Sequence, residues 1–176
     1  MTMNGAAKIS DNKAWRYWLT RRWGPGPSTV NFVMLNPSTA DATHNDSTVR
    51  RCIGYAQEWL FHRLVVTNLF AFRSKRPEDL WEDTEAPVGP DNDKYLLEEA
   101  QKAGLVVVAW GTHGSFRDRG QQVLKMFALD GIQVHHLGLT KEGHPKHPLY
   151  LRKNIQPIEY DLGDFKHGKG VSDASG

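Results

Sequence analysis

The chain has 176 residues, 39% apolar and 24% charged, with 22 Lys plus Arg against 20 Asp plus Glu and a formal net charge of +2. This balance fits a folded single domain and excludes a disordered chain or a strongly basic nucleic-acid binder. A single cysteine, Cys52, excludes an internal disulfide framework, a zinc ribbon and a Cys-ligated iron–sulfur cluster. No apolar run approaches the roughly 20 residues of a membrane helix, and residues 1–13 carry no hydrophobic signal core. A cytoplasmic protein with no membrane contact is expected.

Residues 1–13 are small and polar and are expected to be disordered, ahead of one domain over 14–160 and a flexible tail over 161–176. From Trp15 to Trp23 aromatic and basic residues nearly alternate, which predicts a half-exposed strand. Gly24-Pro25-Gly26-Pro27 forces a turn, and Val30 to Leu35 reads as a buried strand that pairs with the first as a hairpin. Asp46 or Ser47 is an N-cap, and Val49, Ile53, Ala56 and Leu60 give helical spacing. Leu64 to Leu69 is the next buried strand. Pro77 opens a short helix. A helix over Asp91–Ala103 ends at Gly104. Leu105 to Trp110 is the most apolar strand, Gln121 to Leu129 a helix, Gln133 to Leu137 a final strand, and Pro148 starts a short helix.

Strands therefore alternate with helices. This predicts an α/β fold, a three-layer α/β/α sandwich with a mainly parallel four-stranded central sheet plus an N-terminal hairpin strand. In such a sheet ligands bind outside the carboxyl ends of the strands. Each of the four strands is followed by a polar loop: Asn36 to Asp46, Asn68 to Arg76, Gly111 to Arg119, and Thr140 to His147. All four are expected to converge on one edge.

The first loop offers Asn36, Ser38, Thr39, Asp41, His44 and Asp46. Pro37 keeps Asn36 out of helical geometry, which suits either an Asx turn or an amide facing a pocket. Asp41 is either a carboxylate that orients water or stabilises a cation, or a solvated cap. The second loop sets Phe72 beside Arg73, Lys75 and Arg76, a pattern that suits a stacked base next to phosphates as well as a solvated turn. Gly111 opens a tight turn whose N–H groups could face an anion. His144-Pro145 and His147-Pro148 hold two imidazoles on restrained backbone, where a neutral ring donates to a carbonyl and a charged ring stabilises an anion. No third clear His or matching Cys accompanies them, so no metal is expected.

Several runs together resemble the domain-of-unknown-function family numbered 1643. They are Val33 to Asp41, Asn45 to Cys52, Thr67 to Arg73, Gly89 to Asp93, Trp110-Gly111 and His144 to Tyr150. The likeness spans roughly residues 15–155. The order of motifs is also similar to that of the uracil-DNA glycosylase superfamily, which has a parallel four-stranded sheet in an α/β/α sandwich. There Leu35-Asn36-Pro37 is similar to the water-activating loop, Thr67-Asn68 with Arg73 to Pro77 to a middle-strand end and basic loop, and His144-Pro145 or His147-Pro148 to the final His-Pro loop. Leu35 stands where that superfamily has a small residue, the cluster-holding cysteines of its thermophilic branch are absent, and no wedge loop with a Leu follows the histidines.

The resemblance implies an enzyme that recognises a DNA base and hydrolyses the N-glycosidic bond of a modified or deaminated base, without a cofactor. Asn36 would orient water. Asp41 or Asp46 would stabilise the sugar cation, and His144 or His147 the departing base. Phe72 would stack the extruded base, with Ser38, Thr39, Asn68, Arg73 and Gly111 around the substrate. Lys75, Arg76 and Lys146 would hold phosphates. Two alternatives use the same scaffold: a non-catalytic nucleic-acid or nucleotide-binding module, and a hydrolase or transferase of a small nucleotide.

Overall fold

The computed structural model describes residues 2–163. The central strands are β3 (Thr29–Met34), β4 (Arg63–Asn68) and β5 (Leu105–Val108). They are rich in β-branched apolar residues and buried on both faces, the signature of parallel strands covered by helices. Register is continuous across them, with Phe32 opposite both Val66 and Val107. Polar side chains among them pair with one another or with backbone at the centre of the sheet. Asn31 is fully buried and its Nδ2 donates to the Val65 carbonyl oxygen (3.3 Å) and to Thr67 Oγ1 (3.1 Å).

Alternate residues of these strands face two cores. Val30, Phe32 and Met34 meet Val49, Cys52, Ile53 and Ala56 of α1 (Ser47–Glu58). Val33, Val106 and Val108 meet Leu96 and Ala100 of α3 (Asn92–Lys102) and Val123, Leu124 and Phe127 of α4 (Arg119–Leu129). The short α2 (Asp79–Glu82) buries Leu80 against the second core. The protein is thus a mixed α/β fold with helices on both faces of the sheet, as the alternation of elements predicts. The helix expected from Pro148 is a single 3-10 turn, Pro148–Tyr150.

The sheet is wider than expected. It has seven strands in the order β1-β2-β4-β3-β5-β6-β7, counting β1 (Asn4–Ile9), β2 (Arg16–Arg22), β6 (His135–His136) and β7 (Ile158–Glu159). Strands β4, β3, β5 and β6 run parallel, while β1, β2 and β7 are antiparallel additions. Two expectations are corrected here. The N-terminal segment expected to be disordered holds a strand: β1 pairs along β2 from Asn4 opposite Arg22 to Ile9 opposite Arg16. Most of its side chains stay in solvent, so its order comes from main-chain pairing, which hydrophobicity does not report. Nor do β2 and β3 form a hairpin, because β4 lies between them.

The link between β2 and β3 straddles the start of β4. Trp23 N donates to the His62 carbonyl oxygen (3.1 Å), Trp23 Nε1 to that of Phe61 (2.9 Å), and the Ser28 carbonyl oxygen accepts from Arg63 N (3.1 Å). Gly24 and Gly26 lie flat against the His62 ring, where a Cβ at either would sit 2.3 Å from it. The tail expected over 161–176 falls outside the described residues from 164 on. Its first part is anchored, with Leu162 buried in the core. Among the described residues no helix is long and apolar enough to cross a membrane.

Helix α1 also anchors the chain that follows the last loop. Arg51, Tyr55 and Trp59 recur every four residues on one face and donate to successive carbonyls. Arg51 reaches those of Pro148 and Leu151, Tyr55 Oη that of Arg152 (2.7 Å), and Trp59 Nε1 that of Ile155 (3.1 Å). Phe32 stacks on Trp59 (5.8 Å) and Tyr55 stacks on Trp59 (5.5 Å), so this face is both packed and bonded. Phe32→Ala is expected to destabilise the domain by about 3–5 kcal/mol, measured by urea unfolding.

Candidate functional site

A cavity of about 770 Å³ opens at the carboxyl ends of β3, β4 and β5. All four polar loops contribute to it: Asn36, Ser38 and Asp46 from the first, Asn68 and Lys75 from the second, Gly111 from the third, and Lys146 and His147 from the fourth. The convergence expected from the strand pattern is therefore present.

Asn36 ties two of these loops together. Its Nδ2 donates to the carbonyl oxygens of Ser74 (3.1 Å), Phe72 (3.4 Å) and Pro37 (3.2 Å). With the amide nitrogen committed to backbone, Oδ1 is the atom left to meet a ligand or water. Asp46 caps α1, its Oδ1 accepting from Val49 N at 2.8 Å, so its second oxygen stays free for the cavity.

Asn68 ends β4 and is 1% exposed, yet neither its Nδ2 nor its Oδ1 has a hydrogen-bond partner. Its backbone is held from behind. Asn92 Nδ2 donates to the carbonyl oxygens of Asn68 (2.9 Å) and Leu69 (3.0 Å), and Arg119 Nε to that of Leu69 (2.9 Å). Arg119 is in turn paired with Asp93. The strand end is thereby fixed, and the Asn68 carboxamide stays in the cavity wall with a donor and an acceptor to offer.

His147 Nδ1 accepts from Leu149 N at 3.3 Å, and burial pushes the imidazole below its usual pKa. The ring is neutral at physiological pH with its proton on Nε2, which makes it a hydrogen-bond donor. Gly111 holds φ 77°, and its N–H donates to the Pro145 carbonyl oxygen (2.8 Å), joining the third and fourth loops.

Other expected site residues lie elsewhere. Asp41 turns its carboxylate onto Thr43 N and His44 N, both at 2.8 Å, and these bonds hold it well below the usual carboxylate range. It closes a local turn, and Asp46 is the carboxylate at the cavity. Thr39 is exposed and outside the lining. His144 sits in the turn closed by Thr140, whose Oγ1 accepts from His144 N (3.1 Å), and of the two His-Pro histidines His147 is the one that lines the cavity. Phe72 bridges to Trp15 and packs on the core. Arg73 donates to the Lys13 carbonyl oxygen (3.3 Å), and Arg76 pairs with Asp79 (2.6 Å) and Glu82 (3.5 Å). Lys75 and Lys146 remain as the expected cations that line the cavity.

The structure adds Arg16, Ser47, Thr48, Trp110 and Tyr150 to the lining. Tyr150, 88% exposed, stands at the rim with its ring 6.0 Å from that of His147, an aromatic face where Phe72 was expected to supply one. Arg16 is 2% exposed in a strand whose alternation reads equally well as a solvated face. Among the described residues no three His, Cys, Asp or Glu side chains form a metal-ligand group. Cys52 is buried and burial pushes its thiol upward, so it is inert.

The depressed His147 pKa has a sign. As pH falls below about 6.5 the unfolded chain takes up this proton before the folded one does, so the associated stability is complete above that pH and lost below it. An NMR titration is expected to place His147 below 6.5, and His147→Gln to flatten the acid-side loss of stability.

The family described as "Protein of unknown function (DUF1643)" matches residues 16–149. No curated protein and no solved structure matches the chain. That match takes in both the central sheet and all four loops of the cavity, and the chain belongs to the DUF1643 family.

Proposed function

We propose that the protein recognises a nucleobase in this cavity and hydrolyses its N-glycosidic bond, the base being presented on an extruded DNA nucleotide or on a free nucleotide. The observation that carries the reading is the Asn68 carboxamide, buried and unpaired in both its donor and its acceptor. A planar heterocycle with an adjacent N–H and C=O satisfies both atoms at once, whereas a ligand lacking either leaves a buried polar group unmet, at about 1–3 kcal/mol.

The surrounding groups suit the chemistry. The C–N bond to the base breaks and its electron pair leaves with the base. The His147 Nε2–H faces the charge that develops on the base. The Asp46 carboxylate stabilises the sugar cation. Water, oriented by Asn36 Oδ1, adds its oxygen to the anomeric carbon, its proton passes to Asp46, and solvent protonates the released base. Tyr150 offers a stacking face at the mouth, and Lys75 and Lys146 neutralise phosphate charge.

Release of free base from a panel of deaminated and modified oligonucleotides and from nucleoside monophosphates tests the reading. Asp46→Asn preserves the helix cap while removing the carboxylate, and is expected to lower release by about 10²-fold or more. Asn68→Ala is expected to reduce it by a similar factor. A panel from which no base is released overturns the assignment.

A second reading, binding without chemistry, is favoured by the commitment of Asn36 Nδ2 to three backbone carbonyls. It predicts nucleoside binding with no product.

A further inference from the structure

The polar groups at the buried end of the cavity carry more charge than base recognition uses. Arg16 is the first residue of β2 and is 2% exposed. Its Nη1 donates to the Ala40 carbonyl oxygen at 2.6 Å, Nε has no partner, and it forms no ion pair among the described residues. Burial lowers its pKa to about 10, which leaves it a cation at neutral pH. A buried charge bound to one neutral carbonyl is costly unless something else compensates it. Of the neighbouring charges the Asp46 carboxylate acts most strongly and favours the cation, Arg73 and Arg21 oppose it, and Asp41 favours it least. One oxygen of Asp46 is taken by its helix cap and Asp41 is turned onto its own loop.

The first turn of α1 lies in the same wall. Its Ser47 and Thr48 N–H groups precede the first intrahelical acceptors, and the cap takes only the Val49 N–H. Arg16, Ser47 and Thr48 therefore line one cavity, and the last two bring backbone N–H groups at a helix start. With Lys75 and Lys146, the charged lining residues are three cations against the Asp46 carboxylate.

We infer that Arg16, with the Ser47 and Thr48 N–H groups, forms a subsite for a terminal phosphate monoester, so that the substrate is a free nucleotide or a chain end rather than an internal DNA nucleotide. A dianionic terminal phosphate has three unesterified oxygens for these donors and compensates the buried cation. An internal phosphodiester has two such oxygens and must lead chain in and out through both ester links. The subsite rests on the nucleobase reading only for the identity of what the phosphate is attached to.

Inorganic phosphate is the direct probe. In a chloride buffer, phosphate is expected to shift the Arg16 Nε–H resonance of the wild-type protein saturably and to raise its Tm. This measurement requires no variant to fold. In calorimetry a nucleoside 5′-monophosphate is expected to bind about tenfold or more tightly than its nucleoside. Arg16→Gln is expected to erase that difference while nucleoside binding survives, and Lys125→Gln, on the exposed face of α4, to leave both unchanged. Phosphate that leaves the Arg16 signal unmoved overturns the subsite. So does an Arg16-dependent gain confined to oligonucleotides without a terminal phosphate. Failure of the nucleoside itself to bind, with phosphate still acting on Arg16, overturns the nucleobase reading instead and leaves the subsite standing.

Discussion

Three parallel strands buried on both faces leave polar chemistry one place to go, the ends where the strands meet solvent. Val30, Phe32, Val66 and Val107 occupy the middle of the sheet without an exposed atom of consequence, and helices close both sides. Every loop that leaves the carboxyl end of β3, β4, β5 or β6 must satisfy its own backbone there. Four such loops do so by bonding to one another, Asn36 to the carbonyls of Phe72 and Ser74, and Gly111 to that of Pro145. The cavity is the space this mutual bracing encloses.

Within a braced rim, the groups left unpaired are informative. Native proteins pair nearly all buried polar atoms, and an orphaned one costs about 1–3 kcal/mol. Asn68 leaves two such atoms and Arg16 one, in the same cavity. The backbone at Asn68 is held by Asn92 and, through Leu69, by Arg119, so the position of the strand end is fixed. Asn31, Arg73, Asn92 and His135 each leave one such atom outside the cavity, but Asn68 is the residue that leaves both its donor and its acceptor unmet.

Helix α1 links the two halves of that site. Its first turn, capped by Asp46, lines the cavity, while Arg51, Tyr55 and Trp59 further along hold the carbonyls of residues 148–155. His147 and Tyr150 reach the rim because the chain next to them is fastened to this helix. One amphipathic helix thus supplies packing against Phe32, an N-terminus at the cavity, and a fixed path for the last loop.

Much of this is written locally in the chain. The β-branched runs and the helical spacing of Val49, Ile53 and Ala56 specify the central strands and helices, since period and propensity act over a few residues. The alternation of elements then specifies parallel strands and puts the polar loops that carry Asn36, Asp46, Asn68 and His147 at one edge, but the choice of Asp46 over Asp41 and of His147 over His144 at the cavity is made by the fold. Three features belong to tertiary structure alone. The order of β1 depends on hydrogen bonds to β2, which leave no mark on the polarity of Asn4 to Ile9. The separation of β2 from β3 depends on β4 sliding between them, a non-local pairing that no turn residue encodes. Arg16 lies beyond the stretch of β2 that pairs with β4, its N–H on the Ala71 carbonyl and its guanidinium on that of Ala40, so its burial is made by chain distant in sequence, whereas an arginine in an alternating stretch has the same local appearance in water. Local sequence determines which elements form, and the competition among strands for neighbours decides which polar side chains end up without water.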